Sequence, residues 1–171
     1  GIDLVLGNGD GTFQPRITLS CNSGTRCGVL ADVNGDGKLD IAAGCVAAKI
    51  SIFVGNGNGT FQTRIDTANP QSPAAIAVAD LDEDGDGDVI VSNYDLPGIS
   101  IWKSAGTGGI GQRSDYATPT RVTQLAVAKV MGTSHVDVLA AEPGPSPDGT
   151  TQSPGTARVS NDLLLRFFRR Y

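Results

Sequence analysis

The sequence is short of most of what a conventional core or a catalytic centre is built from. Aromatic residues make up 5% and charged residues 18% of the 171 positions, with one tryptophan, Trp102, and one histidine, His135. A single histidine with no Ser or Cys pattern around it leaves little for a nucleophile-and-base arrangement. Positive charge is also scarce: 13 basic residues against 18 acidic ones leave a net charge of −5. That excludes nucleic acid as a natural partner, because phosphate binding needs a basic face. No run approaches the ~20 apolar residues of a membrane span, and no secretory leader pattern stands at the start. The opening "GIDLVLGNGDG" reads as the middle of a strand, so a fragment of a longer protein is expected. Cysteine is limited to Cys21, Cys27 and Cys45. An odd count gives no complete framework. Two readings stay open: a Cys21–Cys27 bridge in an oxidising compartment, or small buried apolar side chains.

What is abundant is glycine, 23 residues with 9 prolines, the composition of a turn-rich β protein. It is organised as a repeat. "GNGDGTFQ" begins at Gly7 and "GNGNGTFQ" at Gly55; "ADVNGDGKLDIAAG" begins at Ala31 and "ADLDEDGDGDVIVS" at Ala79. Both pairs are 48 positions apart. A third, worn copy, "LAVAKVMGTSHVDVLAAE", begins at Leu125; it keeps Asp137 but has Lys129, Met131, Thr133 and His135 at the other acidic positions. Within each unit the apolar period is two, not 3.6. Short β runs at 28–31, 39–43, 50–54 and 61–66 are separated by Gly-rich or Asp-rich turns. Four short strands in a repeat of about 40–50 residues predict an all-β protein built of four-stranded antiparallel propeller blades. About three blades fit within 1–140. Residues 141–171 read as a Pro/Gly-rich loop followed by a degenerate final strand or tail.

Half of the acidic residues fall in two loops, "DVNGDGKLD" from Asp32 and "DLDEDGDGD" from Asp80. Carboxylates this dense repel one another unless a cation neutralises them. A hard divalent cation takes six to eight oxygen ligands on a tight loop. Asp32, Asn34 and Asp36 occupy positions 1, 3 and 5, Gly37 permits the bend, the Lys38 carbonyl stands at position 7, and Asp40 at position 9. The second loop repeats this with Asp80, Asp82, Asp84, Gly85, the Asp86 carbonyl and Asp88. Oxygen-only donors favour Ca²⁺, with Mg²⁺ weaker. Two Ca²⁺ sites are therefore expected, each pinning a strand-to-strand connection. An EF-hand is excluded: position 12 is Ala43 or Val91 within β runs, where that motif requires Glu between helices.

These loops and the 48-residue unit give the chain a resemblance to the FG-GAP/VCBS repeat family over about residues 1–140, although the Gly-Ala-Pro element of the family name is absent. "LGNGDGTF" and "VGNGNGTF" are close to the VCBS-like branch. The resemblance implies a propeller, usually of seven blades, with Ca²⁺ in its hairpin loops. It also implies an extracellular or cell-surface setting, and contact with a protein or carbohydrate ligand and with the remaining blades of a longer chain.

The remaining motifs read more plainly. The loops "GNGDG" and "GNGNG" lead into strands rather than a helix, so they are hairpin turns and not phosphate cradles. Phe13 and Phe61 are expected to pack between blades, and Trp102, at the place of Phe53, in the core. No catalytic residue is assigned. The expected function is non-enzymatic, adhesion or protein interaction, with a lectin-like propeller and an accessory domain of a secreted hydrolase or lyase as alternatives.

Overall fold

The computed structural model describes residues 1–21, 23–129 and 135–142, together with the strand at 164–168. Thirteen strands and no helix are found among them. A two-stranded sheet pairs β1 (Ile2–Leu4) with β2 (Ile17–Leu19). Two four-stranded antiparallel sheets follow. The first is β3 (Thr25–Ala31), β4 (Asp40–Cys45), β5 (Lys49–Phe53) and β6 (Ile65–Ala68); the second is β7 (Pro73–Ala79), β8 (Asp88–Asn93), β9 (Ile99–Ser104) and β10 (Ile110–Tyr116). In the last sheet, β11 (Gln124–Ala128), β12 (Asp137–Glu142) and β13 (Leu164–Phe168) are neighbours in that order. Within each sheet, sequential strands pair with one another, as in propeller blades. β13 draws part of the segment beyond residue 140 into a sheet, while the Pro/Gly-rich stretch before it lies outside the described residues.

The repeat is a repeat of register. Ala31 faces Asp40, Ala79 faces Asp88, and Ala128 faces Asp137, closing the first hairpin of the last three sheets in the same way. Irregularities recur between Thr25 and Cys27 and between Pro73 and Ala75, one repeat apart.

The second strand of each full sheet is buried along its whole length, whereas β3 alternates. Neighbouring sheets cover β4 and β8 on both faces, so "DIAAGC" and "DVIVSN" read as nearly continuous runs of small or apolar residues. Ile50, Ile52, Val54, Val89, Val91 and Trp102 form one core between the two full sheets, and Ile90, Ile99, Val122 and Val138 a second toward the last sheet. Each such aliphatic side chain contributes about 1.5–3 kcal/mol of burial. Approach is close enough that a Cβ on Gly44 would lie 2.5 Å from Pro73 Cβ and 2.6 Å from Cys27 Sγ.

One open reading is closed and one expectation corrected. Cys21 is bridged to Cys45, not to Cys27. Cys27 and Cys45 pack into different clusters on opposite sides of the same sheet, and Cys21 reaches only the Cys45 side. Phe61 packs against the Cys21–Ile41–Phe53 cluster beside Ile2 and Leu19, but Phe13, its counterpart, is 67% exposed. Trp102 is a core residue.

Candidate metal centre

Each acidic loop joins the first two strands of a sheet, and both loops fold by the same hydrogen bonds. In the first, Asp32 Oδ1 accepts the Asp36 N–H at 3.2 Å and Oδ2 the Gly37 N–H at 2.7 Å, while Asp36 Oδ1 accepts the Lys38 N–H at 2.9 Å. In the second, Asp80 accepts from Asp84 at 3.2 Å and Gly85 at 3.0 Å, and Asp84 from Asp86 at 3.0 Å. Gly37 and Gly85 carry φ of +79° and +97°, the left-handed bend expected at position 6. Position 4 is also left-handed: Gly35 at +69° and Glu83 at +62°. A side chain on Gly35 would meet the Gly85 carbonyl at 2.7 Å and Asp86 Oδ1 at 2.9 Å. The two loops therefore lie against each other.

This geometry gathers the first three odd positions. Asp80, Asp82 and Asp84 each present an oxygen within 4.8 Å of the other two. In the first loop the Asn34 amide stands between its acidic neighbours: with its nitrogen turned toward them it would donate to Asp32 Oδ1 at 3.1 Å and Asp36 Oδ1 at 3.3 Å, and turned the other way it offers its oxygen to a cation. The available donors are carboxylate oxygens and the Asn34 amide oxygen on a glycine-bent loop, so they fit a hard cation.

Position 9 does something further. Asp40 is fully buried; its oxygens accept the Val33 N–H at 3.0 Å and the Gly55 N–H at 2.7 Å. Asp88, also buried, accepts from Leu81 at 3.3 Å and from Ser104 at 3.1 Å. Each carboxylate thus clamps its acidic loop to the end of the third strand or the turn just after it. Asp88 lies outside the gathered group of Asp80, Asp82 and Asp84. Burial, partly offset by the Ser104 N–H, raises the Asp88 carboxyl above its usual range.

Electrostatics mark the junction between the loops. Partial burial and then the neighbouring carboxylates of Asp84, Asp80, Asp32 and Asp82 raise the Asp86 carboxyl. In the first loop the Lys38 ammonium and N–H hold Asp36 low. Asp86 was expected to offer only its carbonyl; its side chain instead abuts Gly35 and Gly106. Sequence reasoning also passed over Lys103, whose ammonium pairs with Asp82. A signal was available, because Lys103 replaces the apolar Val54 of the preceding unit. His135 of the worn copy lies 3.2 Å from Glu83. Met131 and Thr133 lie outside the described residues.

The glycine turns are hairpins as read: Asn8 N–H donates to the Thr12 carbonyl at 2.9 Å and Asn56 N–H to the Thr60 carbonyl at 3.0 Å.

The profile of the FG-GAP-like repeat matches residues 1–43 and 32–91, more than half of the chain taken together. Among curated proteins none matches. A solved structure similar in fold is a chain of the Photorhabdus luminescens Tc holotoxin pore, with a TM-score of 0.56 at 21% identity. The match covers 82% of this chain and 7% of that one.

Proposed function

The chain belongs to the FG-GAP-like repeat family, and from that premise we propose that it is a non-enzymatic Ca²⁺-binding propeller segment for adhesion or protein interaction outside the cell. The observation that carries this reading is the convergence of Asp80, Asp82 and Asp84 on a loop bent at Gly85, with a second loop of the same hydrogen bonding beside it. Asp32, Asn34 and Asp36 would hold one ion and Asp80, Asp82 and Asp84 the other; Asp40 and Asp88 anchor the loops. Bound Ca²⁺ supplies charge neutralisation and cross-links residues of one loop. Lys38 and Asp86 enter this assignment through their carbonyls only as sequence expectations.

The Cys21–Cys45 bridge supports an oxidising, extracellular setting. Remaining blades of a longer chain are a natural partner: a cleft of about 440 Å³ between β1 and β3 is lined by Ile2, Leu4, Cys27, Val29 and Ile41. That cleft has no aromatic lining, and Trp102 is buried, so the lectin-like reading gains no support from either.

The test is thermal unfolding of the native chain and of the Asp36→Ala, Asp84→Ala double variant with Ca²⁺, Mg²⁺ or chelator. A ligand specific to the folded state stabilises by roughly 2.7 kcal/mol at a hundredfold excess over Kd. A shift of that order with Ca²⁺, smaller with Mg²⁺ and lost in the variant, is expected. An unresponsive, folded native chain overturns the proposal.

A further inference from the structure

The second acidic loop already carries a positive charge in its midst. Lys103, on β9, places its ammonium on Asp82 Oδ2. In the repeat, Lys103 stands where Val54 stands in the preceding sheet, as Ser104 stands for Gly55; the backbone N–H groups of Ser104 and Gly55 make the same bond to Asp88 and Asp40. Val54 is buried and apolar, and the first sheet has Leu6 at this place. Of the three sheets in which this position is described, one therefore exchanges an apolar side chain for a cation.

The pair is held from both sides. Lys103 lies on a strand bonded to β8 and β10, with its side chain 34% exposed and that of Asp82 only 18%. Lys38 meets Asp36 in the first loop, but it belongs to the loop itself and is 45% exposed. An exposed pair of that kind gives up its contact to water with little loss.

Resting on the reading of these loops as Ca²⁺ sites, we propose that Lys103 is a built-in counter-ion of the second loop and sets its cation affinity. With the ammonium on its Oδ2, Asp82 has less negative charge to offer a divalent ion. To serve both would bring a single and a double positive charge to one carboxylate, where partial burial weakens screening. Metal uptake therefore works against the Lys103 ammonium, which it must repel or displace. The second loop therefore binds Ca²⁺ more weakly than its carboxylate count implies, and keeps its shape without metal.

The experiment is calorimetric titration of the full chain with Ca²⁺ in an Asp36→Ala background, where only the second loop responds. Lys103→Met is expected to tighten binding about tenfold or more, equivalent to ~1.4 kcal/mol; Lys103→Arg, which keeps the charge, is expected to leave it unchanged. In chelator, Lys103→Met should melt below its parent, and saturating Ca²⁺ should reverse the order. Equal or weaker Ca²⁺ binding by a folded Lys103→Met variant overturns this inference alone. Absence of Ca²⁺ binding in parent and variant alike overturns the metal reading and this inference with it. If Met perturbs the fold, Lys103→Gln is judged by the same two outcomes.

Discussion

At the scale of the residue, the aspartates of the two loops divide into two kinds. Asp40 and Asp88 are buried and satisfy two backbone N–H groups each. Asp36 and Asp84 stand at exposed loop positions and each accepts the N–H two residues on. The last sheet separates the roles, since Asp137 stays buried in the same register although Lys129 has replaced the first loop aspartate. Asp40→Ala would strand the Val33 and Gly55 donors, and each orphaned group costs about 1–3 kcal/mol. Urea unfolding should show that loss equally with Ca²⁺ and with chelator, whereas Asp36→Ala should cost stability chiefly with Ca²⁺. Gly44 offers a second test. A methyl group there would collide with Pro73 and Cys27, so Gly44→Ala should destabilise by about 1–3 kcal/mol through overpacking, read as a lower urea midpoint.

At the scale of the element, the outer pair of strands repeats a cross-strand contact. Ser51 donates to Asp66 at 2.7 Å, Ser100 to Asp115 at 2.8 Å, and in the first sheet, with the partners exchanged, Thr18 to Asp3 at 2.7 Å. Arg64, Arg113 and Arg16 pair with these carboxylates. Charge on an outer strand also discourages edge-to-edge pairing. At Asp66 burial alone would raise the carboxyl, but the Ser51 hydroxyl, Arg64 and Lys49 together outweigh it and hold the group below its usual range. A lowered folded value means the contribution is complete above the unfolded carboxyl value of about 3.9 and is lost as pH falls through the folded value. Asp66→Asn should therefore reduce stability at pH 6–7 by on the order of 1 kcal/mol. The gap to the native chain should close below about pH 4 in acid-unfolding curves.

At the scale of the whole molecule, covalent and packing links join one sheet to the next. Cys21, which precedes β3, is bonded to Cys45 at the end of β4, 24 residues on, near Leu19 and Ile2 of the two-stranded sheet. A loop of that size implies about 3 kcal/mol of stabilisation in the chain-entropy account. Reduction, or a Cys21→Ser, Cys45→Ser variant, should lower the unfolding free energy by about that amount. Cys27 behaves differently: burial pushes its thiol up, so it should resist alkylation in the folded chain near neutral pH and react on unfolding, as mass spectrometry would show. On the side away from the acidic loops' glycines, Arg26 lies 4.1 Å and Arg121 5.5 Å from the centre of the Tyr94 ring, a stack that spans three successive sheets.

Local chemistry is what the sequence by itself determined. Period-two runs, turn glycines and the 48-residue unit specify strands and hairpins through nearest neighbours, and Asp32–Asp40 and Asp80–Asp88 specify bent oxygen-rich loops through their own spacing. The Cys21–Cys45 pairing was not legible, because it depends on which face of β4 each side chain takes once the two-stranded sheet is beside it. The clamping by Asp40 and Asp88 was likewise hidden, since the Gly55 and Ser104 donors are brought under the loops only when the third strand folds back. Nor could spacing along the chain show that Phe13 would be exposed where Phe61 is covered, or that Lys103 would meet Asp82. Contacts between residues about 15 to 25 positions apart are set by how strands and sheets stack, and only the tertiary structure decides that.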